Sequence, residues 1–179
     1  MDAALAALVP AIVPGHTFVT HIHQGKPDLL KKLESRLRGY SRLRWPNLRL
    51  VVLLDRDQQD CIELKTRLTD TCSAAGADAL CRIAVEELEA WFFGDVEALR
   101  SAYPEVPRNL ANRAPFRDPD AIAGGTAEAL ARVLRQAGYY RAGMPKVEVA
   151  RRVAAHMDPG RNRSRSFQVF VSGLQHHVQ

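Results

Sequence analysis

The stretch LVVLLDRDQQD, residues 50–60, joins an unbroken apolar run to two aspartates, Asp55 and Asp57. A strand that is apolar at every position is typical of a parallel sheet covered by helices on both faces. Ligands of such open sheets bind beyond the carboxyl ends of the strands. The stretch therefore predicts an α/β fold and marks a candidate site for a hard cation, which prefers oxygen ligands. The alternative is an ordinary polar turn after a buried strand.

The sequence on both sides of this stretch continues the alternation of strands and helices. Leucines at helical spacing indicate helices, and short apolar or alternating runs indicate strands. The predicted helices cover 2–13, 25–40, 59–75 and the residues from 86 onward, and the predicted strands cover 17–23, 48–55 and 79–85. This alternation predicts a mostly parallel sheet flanked by helices.

The second half of the chain has a different character. Residues 103–126 are rich in Pro, Asn, Asp and Gly, which predicts a long irregular connection of the kind that is often functional. Three helices are predicted after it, over 126–137, 145–156 and 165–175. We therefore expect one domain over 1–179, with an α/β part (1–102) and a long loop plus a helical layer (103–179).

The composition is that of an ordinary globular protein that lives in a reducing compartment. The 179 residues are 46% apolar and 25% charged, and no apolar run reaches the ~20 residues that span a bilayer. The three cysteines form no closely spaced pair, which argues against a disulfide framework or a structural zinc site. These features predict a cytoplasmic protein without a membrane partner.

The charges are unevenly distributed around a net charge of +5. Residues 31–49 are dense in Lys and Arg with one acid, RNRSRS (161–166) carries three arginines, and VEELEAWFFGDVE (85–97) is acidic. Basic flanks around an acidic centre would suit a nucleic acid whose phosphates lie over a cation. The alternative is a set of solvated helix faces with long basic side chains.

A second set of acids follows the predicted strand 79–85, at Glu86, Glu87 and Glu89. If this strand neighbours the one that ends at Asp55, the acids of both strands meet at one edge of the sheet. That edge would suit Mg²⁺ or Mn²⁺, which the ligand types do not distinguish. The alternative is that these glutamates only complement the dipole of the following helix.

Three further motifs, a glycine-threonine turn, a run of aromatics and the histidines, have structural explanations beside functional ones. Gly125 and Thr126 precede a predicted helix whose amides could bind a phosphate, although Thr126 could equally be a helix N-cap. Trp91 and its two neighbouring phenylalanines are predicted to be core, because three consecutive aromatics cannot face one ligand. The histidines lack the spacing and partners of a zinc site.

Four segments together resemble a bacterial family of unknown function with a Toprim-like fold, whose relatives include the RloB and OLD-type proteins linked to phage defence. The segments are LDRDQQDCIELKTRL (54–68), IAVEELEAWFFGD (83–95), RDPDAIAGGT (117–126) and NRSRSFQVF (162–170). The resemblance implies a small parallel sheet between helices that holds Mg²⁺ for phosphodiester chemistry. It places the DxD of that fold at Asp55 and Asp57, its later acidic motif at Glu87 and Glu89, and a family lysine at Lys146.

The chain departs from that family at its start. Toprim domains carry a glutamate at the end of their first strand, and members of this family begin with such a strand ahead of the helix that matches ALAALVPAIV (4–13). Here the chain begins at Met1, inside or after that turn, so the first strand and its glutamate are missing. Either the start is assigned too late, or the chain is a truncated product, or this member lacks the glutamate. We expect a misassigned start, and a chain that, as written, binds metal without being catalytically complete.

The expected activity is that of a Mg²⁺- or Mn²⁺-dependent phosphodiester hydrolase. Asp55 and Asp57 would hold the cation, and Glu89 or Glu87 would complete its shell. The phosphate contacts would come from Lys146, Arg163, Arg165, Ser166, Gly125 and Thr126. The alternative is a non-catalytic scaffold that partners an ATPase, since the chain has no P-loop motif of its own.

Overall fold

A computed structural model of the protein describes residues 1–56 and 59–179, so Asp57 lies outside the described residues. Helices and strands alternate between residues 25 and 94. In chain order they are α1 (Asp2–Ile12), α2 (Gly25–Leu43), β1 (Leu50–Asp55), α3 (Cys61–Ala74), β2 (Ala79–Ala84), α4 (Glu89–Gly94), α5 (Val96–Ala102), three short 3₁₀ helices (Leu110–Asn112, Ala114–Phe116 and Pro119–Ala121), α6 (Thr126–Gln136), α7 (Lys146–Ala154) and α8 (Arg165–His177).

The sheet formed by the described residues consists of β1 and β2, paired in parallel. The register places Leu50 opposite Ala79 and Asp55 opposite Ala84. The two strands are therefore neighbours, which is the condition for a shared acidic edge, and both end at the same edge. The chain has the predicted α/β architecture, with a small parallel sheet flanked by helices.

The two faces of the sheet are covered by different helices, as the continuous apolar pattern of β1 requires. On one face, α2 and α3 pack against Val52, Leu54 and Cys81 through buried leucines. On the other face lies the larger core, which includes α1, α8 and the partly buried Leu53. The C-terminal helical layer thus packs directly on the sheet.

The centre of the larger core is the short helix α4. Trp91 and Phe93 have no exposed surface, and Phe92 is almost as deeply buried. The Trp91 ring stacks on Phe170 with centroids 5.1 Å apart and meets Phe167 edge-on at 5.0 Å. The prediction that these consecutive aromatics form the core is confirmed; Trp91 packs on α8, and Phe93 stacks on Phe116.

The strand predicted over 17–23 is not formed, and the sheet lacks this third strand in the described chain. Val19 is 82% exposed and Ile22 is 74% exposed, so the alternating apolar side chains face solvent. The side chains of Thr20 and His21 instead hydrogen-bond Asp2 and Tyr40. Alternation predicts a strand only where a neighbouring backbone completes the ladder, and this segment has none among the described strands.

None of the helices within residues 1–56 and 59–179 combines the length and the apolarity that crossing a bilayer requires. This finding agrees with the absence of a long apolar run from the sequence.

Two glycines in helices give a matched test of how tightly α4 is packed. A methyl group at Gly94 would overlap the Asn162 side chain, whereas one at Gly39 in α2 would meet no atom within 4 Å. We expect Gly94→Ala to lower the free energy of unfolding by about 2 kcal/mol, the cost of overpacking. Gly39→Ala should raise it by up to about 1 kcal/mol, because alanine favours a helix.

Urea denaturation of both variants measures these changes. Equal effects of the two substitutions would contradict the close approach of α4 to the Asn162 loop.

Candidate functional site

The candidate site is the carboxyl edge of the sheet, by which we mean the residues that follow β1 and β2. Asp55 ends β1, and the Arg56 amide donates to the Ala84 carbonyl at 2.9 Å, which extends the ladder to the edge. The Arg56 guanidinium forms an ion pair with Glu86, two residues beyond β2. The acids that follow the second strand thus begin directly beside the residues that end the first.

Glu86 has an unusual backbone at this edge. Its φ is +62°, in the left-handed region that costs a residue with a side chain about 1 kcal/mol or more. This turn leads the chain from β2 into α4. Backbone strain of this kind persists only where surrounding contacts hold it, and here the Arg56 ion pair is such a contact.

Glu87 binds the N-terminus of α6. Its Oε2 accepts from the Thr126 hydroxyl at 3.0 Å and from the Ala127 amide at 2.8 Å. Gly125, with φ +87°, is the N-cap residue, so the alternative that Thr126 is the N-cap is wrong. The anion that binds this helix N-terminus is therefore the Glu87 carboxylate. It lies where Gly125 and Thr126 were predicted to bind a phosphate.

Glu89 is the first residue of α4 and is partly buried. Desolvation raises the pKa of its carboxyl group, and the charge of Glu87 raises it further. The positive charge of Lys146 acts in the opposite direction. Glu87 and Lys146 therefore act in opposite directions on the pKa of Glu89, which makes Glu89 a candidate for chemistry at this edge.

The remaining predicted residues occupy different positions around the edge. Lys146 is an exposed residue that begins α7, and Asp55 is partly buried at the end of β1. Asp57, the second residue of the predicted DxD, lies outside the described residues. Arg163 and Arg165 are exposed at the start of α8, and their phosphate contacts stay a prediction.

Two basic residues of the edge were missed by sequence reasoning. Arg56 stands between the two aspartates and pairs with Glu86. Lys26, in the first turn of α2, donates from Nζ to the Arg56 carbonyl at 2.8 Å and to Gln59 Oε1 at 3.2 Å. Arg56 could have been identified, because it lies inside the DRD motif. The role of Lys26 could not, because Lys26 lies 30 residues before Arg56 in the sequence.

The described residues contain no group of three or more His, Cys, Asp and Glu side chains arranged to hold a metal ion. A Mg²⁺ ion nevertheless keeps several waters and is commonly bound through one or two carboxylates. Glu87 and Glu89 are the pair that could supply them, since the charge of Glu87 raises the pKa of the Glu89 carboxyl group and a cation would offset that effect.

Ser166, predicted to contact phosphate, lies in a buried hydrogen-bond network. Asp120 accepts from the Ser164 hydroxyl at 2.7 Å, from the Ser166 hydroxyl at 3.0 Å and from the Ser166 amide at 3.1 Å. The Ser166 hydroxyl in turn accepts from Trp91 Nε1 at 2.9 Å. The serines of the NRSRS segment therefore join α8 to the core, and its arginines point to solvent.

A second buried carboxylate holds the same segment to α4. Asp95 caps α5 through the Ala98 amide at 3.0 Å and receives two bonds of 2.9 Å from Arg161. The neighbouring Asn162 donates to the Trp91 carbonyl at 2.8 Å. The resemblance segments IAVEELEAWFFGD, RDPDAIAGGT and NRSRSFQVF thus meet in one structural cluster behind Glu89.

The Asp120 network yields a stability prediction. Asp120→Ala leaves a buried amide and two hydroxyls without their acceptor, so we expect a loss of about 3 kcal/mol. Asp118→Ala removes only a cap of a short 3₁₀ helix at an exposed position and should cost about 1 kcal/mol. Chemical denaturation and the near-ultraviolet circular dichroism of Trp91 report both changes. A similar small cost for both aspartates would contradict a structural role of this network.

The raised pKa of Glu89 yields a pH prediction. A carboxyl group with a raised folded-state pKa favours folding most at low pH, and that contribution is lost as the pH rises through the folded-state pKa. Glu89→Gln should therefore be more stable than the wild type at about pH 8, and the difference should shrink towards about pH 4. Urea midpoints across this range measure it. A glutamine variant that is less stable at high pH would show that the ionised carboxylate is favourably bound.

Comparison with known proteins identifies one family. The family described as "Domain of unknown function (DUF4276)" matches residues 1–175. No curated protein and no solved structure shows a significant match to the chain.

Proposed function

Because the chain belongs to this DUF4276 family, whose function is unknown, we propose an activity from its own site. It is a Mg²⁺- or Mn²⁺-dependent phosphodiester hydrolase with a Toprim-like fold. We further propose that it works in the cytoplasm in a defence-type system related to the RloB and OLD-type proteins. Its substrate would be a nucleic acid.

One observation carries this proposal. The parallel register of β1 and β2 sets Asp55 opposite Ala84, so the acids that follow both strands lie at one edge of the sheet. A dedicated cation site needs several oxygen ligands that a rigid scaffold brings together. The left-handed backbone of Glu86 at the same edge supports the proposal, because such strain clusters at functional sites.

The residues of the edge take distinct roles in the proposed reaction. Glu89, backed by the buried α4, and Asp55, fixed at the end of β1, would bind the cation. Glu87 would turn its free carboxylate oxygen toward the cation, while its Oε2 keeps the two hydrogen bonds to the N-terminus of α6. Lys146 would bind a phosphate oxygen from the exposed start of α7. A bound Mg²⁺ or Mn²⁺ would supply a water of lowered pKa and offset negative charge on the phosphate.

A second candidate function is favoured by two contacts at the same edge. Glu86 is paired with Arg56, and Glu87 is bound to the N-terminus of α6, so two of the three glutamates already have partners. A chain that keeps this scaffold without hydrolysing anything could serve as the partner subunit of an ATPase. Metal binding and turnover separate the two functions.

The test is calorimetric titration of Mn²⁺ and Mg²⁺ into the wild type, Asp55→Asn and Glu89→Gln, together with hydrolysis of a labelled oligonucleotide. We expect saturable binding in the wild type, its loss in both variants and, where the wild type hydrolyses the oligonucleotide, a rate reduced at least about a hundredfold in both variants. Glu97→Gln is the control, because Glu97 is an exposed acid of α5 paired with Arg100.

Binding that survives in both variants would reject the assignment of the site. A folded wild type that binds no cation would reject the hydrolase and leave the scaffold function.

A further inference from the structure

The outer face of α2 carries a line of exposed polar and basic residues. Lys31, Ser35, Arg38 and Arg42 are spaced by four, three and four positions, which places them on one side of the helix. The opposite side buries Leu33 and Leu37 against the sheet. Arg38 of this line forms an exposed ion pair with Glu34, a contact that a phosphate could replace.

A basic groove lies at the start of this line. It has a volume of about 360 Å³ and is lined by Lys26, Pro27, Leu30, Lys31, Gln59 and Arg67. These six lining residues include three cations and no acid. The groove borders the carboxyl edge, because Lys26 donates to the carbonyl of Arg56 just beyond β1.

An exposed tryptophan lies at the other end of the line. Trp45 is 60% exposed, although it follows directly on the C-terminus of α2. The loop that carries it is held by the Leu48 amide on the Trp45 carbonyl (3.2 Å) and by Arg49, which donates to Pro46 (3.3 Å) and to His177 (2.8 Å). A large aromatic that is presented to solvent by a preformed loop is ready to stack on a planar ligand at low entropic cost.

We propose that the α2 track binds a single-stranded polynucleotide, where the track comprises the basic groove, the exposed face from Lys31 to Arg42, and Trp45. The cations bind the phosphates, and Trp45 stacks on a base, which is the combination that holds single strands without reading sequence. Helix α2 has 19 residues and is about 28 Å long, which matches about eight stacked nucleotides.

The α2 track extends the proposed function, because it names a single-stranded polynucleotide as the substrate. This inference rests on the proposed function only for the hydrolysis reaction. Helix α2 begins at the carboxyl edge and ends at the far end of β1, so a strand bound along it would reach the candidate site. Binding itself requires no cation. The two proposals can therefore fail separately, because binding is measured in EDTA and hydrolysis is measured with Mn²⁺.

The two tryptophans make the test specific, since Trp91 has no exposed surface and Trp45 is largely exposed. We expect an oligothymidylate of about 12 nucleotides, longer than the track, to quench the fluorescence of Trp45 in EDTA. Trp45→Phe should abolish the quenching while a labelled oligonucleotide still binds. Trp45→Ala should weaken binding about tenfold, the expected loss of one stacked base.

The charges are tested by two paired variants of equal net charge. Arg38→Gln with Arg42→Gln alters the track, whereas Arg132→Gln with Arg135→Gln alters exposed positions of α6. The track variant should lower the slope of log affinity against log salt by about 1.4, and the α6 variant should leave it unchanged. Circular dichroism confirms that both variants are folded.

Equal losses in the two paired variants would overturn the proposal. So would equally tight binding of a duplex, whose bases cannot stack on Trp45, or quenching of Trp45 by anionic phospholipid vesicles but not by the oligonucleotide. Hydrolysis of an oligonucleotide that does not depend on the track would uphold the proposed function and reject the track.

Discussion

The arrangement of the C-terminal half depends on the hydrogen bonds that the Asp120 carboxylate accepts. This carboxylate fastens the start of α8 by accepting from Ser164 and Ser166, and Ser166 in turn accepts from the indole of Trp91. The aromatic rings of α8 can then stack on Trp91. Because Trp91 stands two positions after Glu89, this network also fixes the helix that presents the candidate acid.

Acidic side chains also accept hydrogen bonds from the first amides of other helices. Asp60 caps α3, Asp95 caps α5 and Glu87 caps α6, so these helix N-termini are each bound by an acid of the chain. Burying a carboxylate is unfavourable unless it is hydrogen-bonded, and helix amides provide that compensation. Of the acids between residues 85 and 97, Glu87 and Asp95 bind helix N-termini, and Glu86 and Glu97 form ion pairs with arginines. The raised pKa of the fifth acid, Glu89, reflects its burial and the charge of Glu87.

Local pattern was enough to predict β1, β2, the helices and the buried aromatics of α4, because each depends on periodicity within one segment. It failed where a structure depends on distant partners. The strand predicted over 17–23 lacks a neighbouring backbone, and its exposed valine and isoleucine show that alternation alone does not bury a segment. The partners of Ser166 and Thr126 lie 46 and 39 residues away, so neither spacing nor composition could identify Asp120 or Glu87. The shared edge followed from the sequence only on the condition that the two strands are neighbours, and their parallel pairing meets that condition.

If the proposed cation drew on Glu87 Oε2 as well as on the free carboxylate oxygen, α6 and the cation would compete for one carboxylate. Such a cation would have to compensate for two hydrogen bonds at the start of α6, and by thermodynamic reciprocity a firmly packed α6 would weaken the binding of that cation to the same degree. The N-terminus of α6 would then act as an internal competitor, held in place by the packing of its buried Leu130 and Leu134. Substitutions in that packing, far from any acid, would tune how readily the edge accepts a divalent ion.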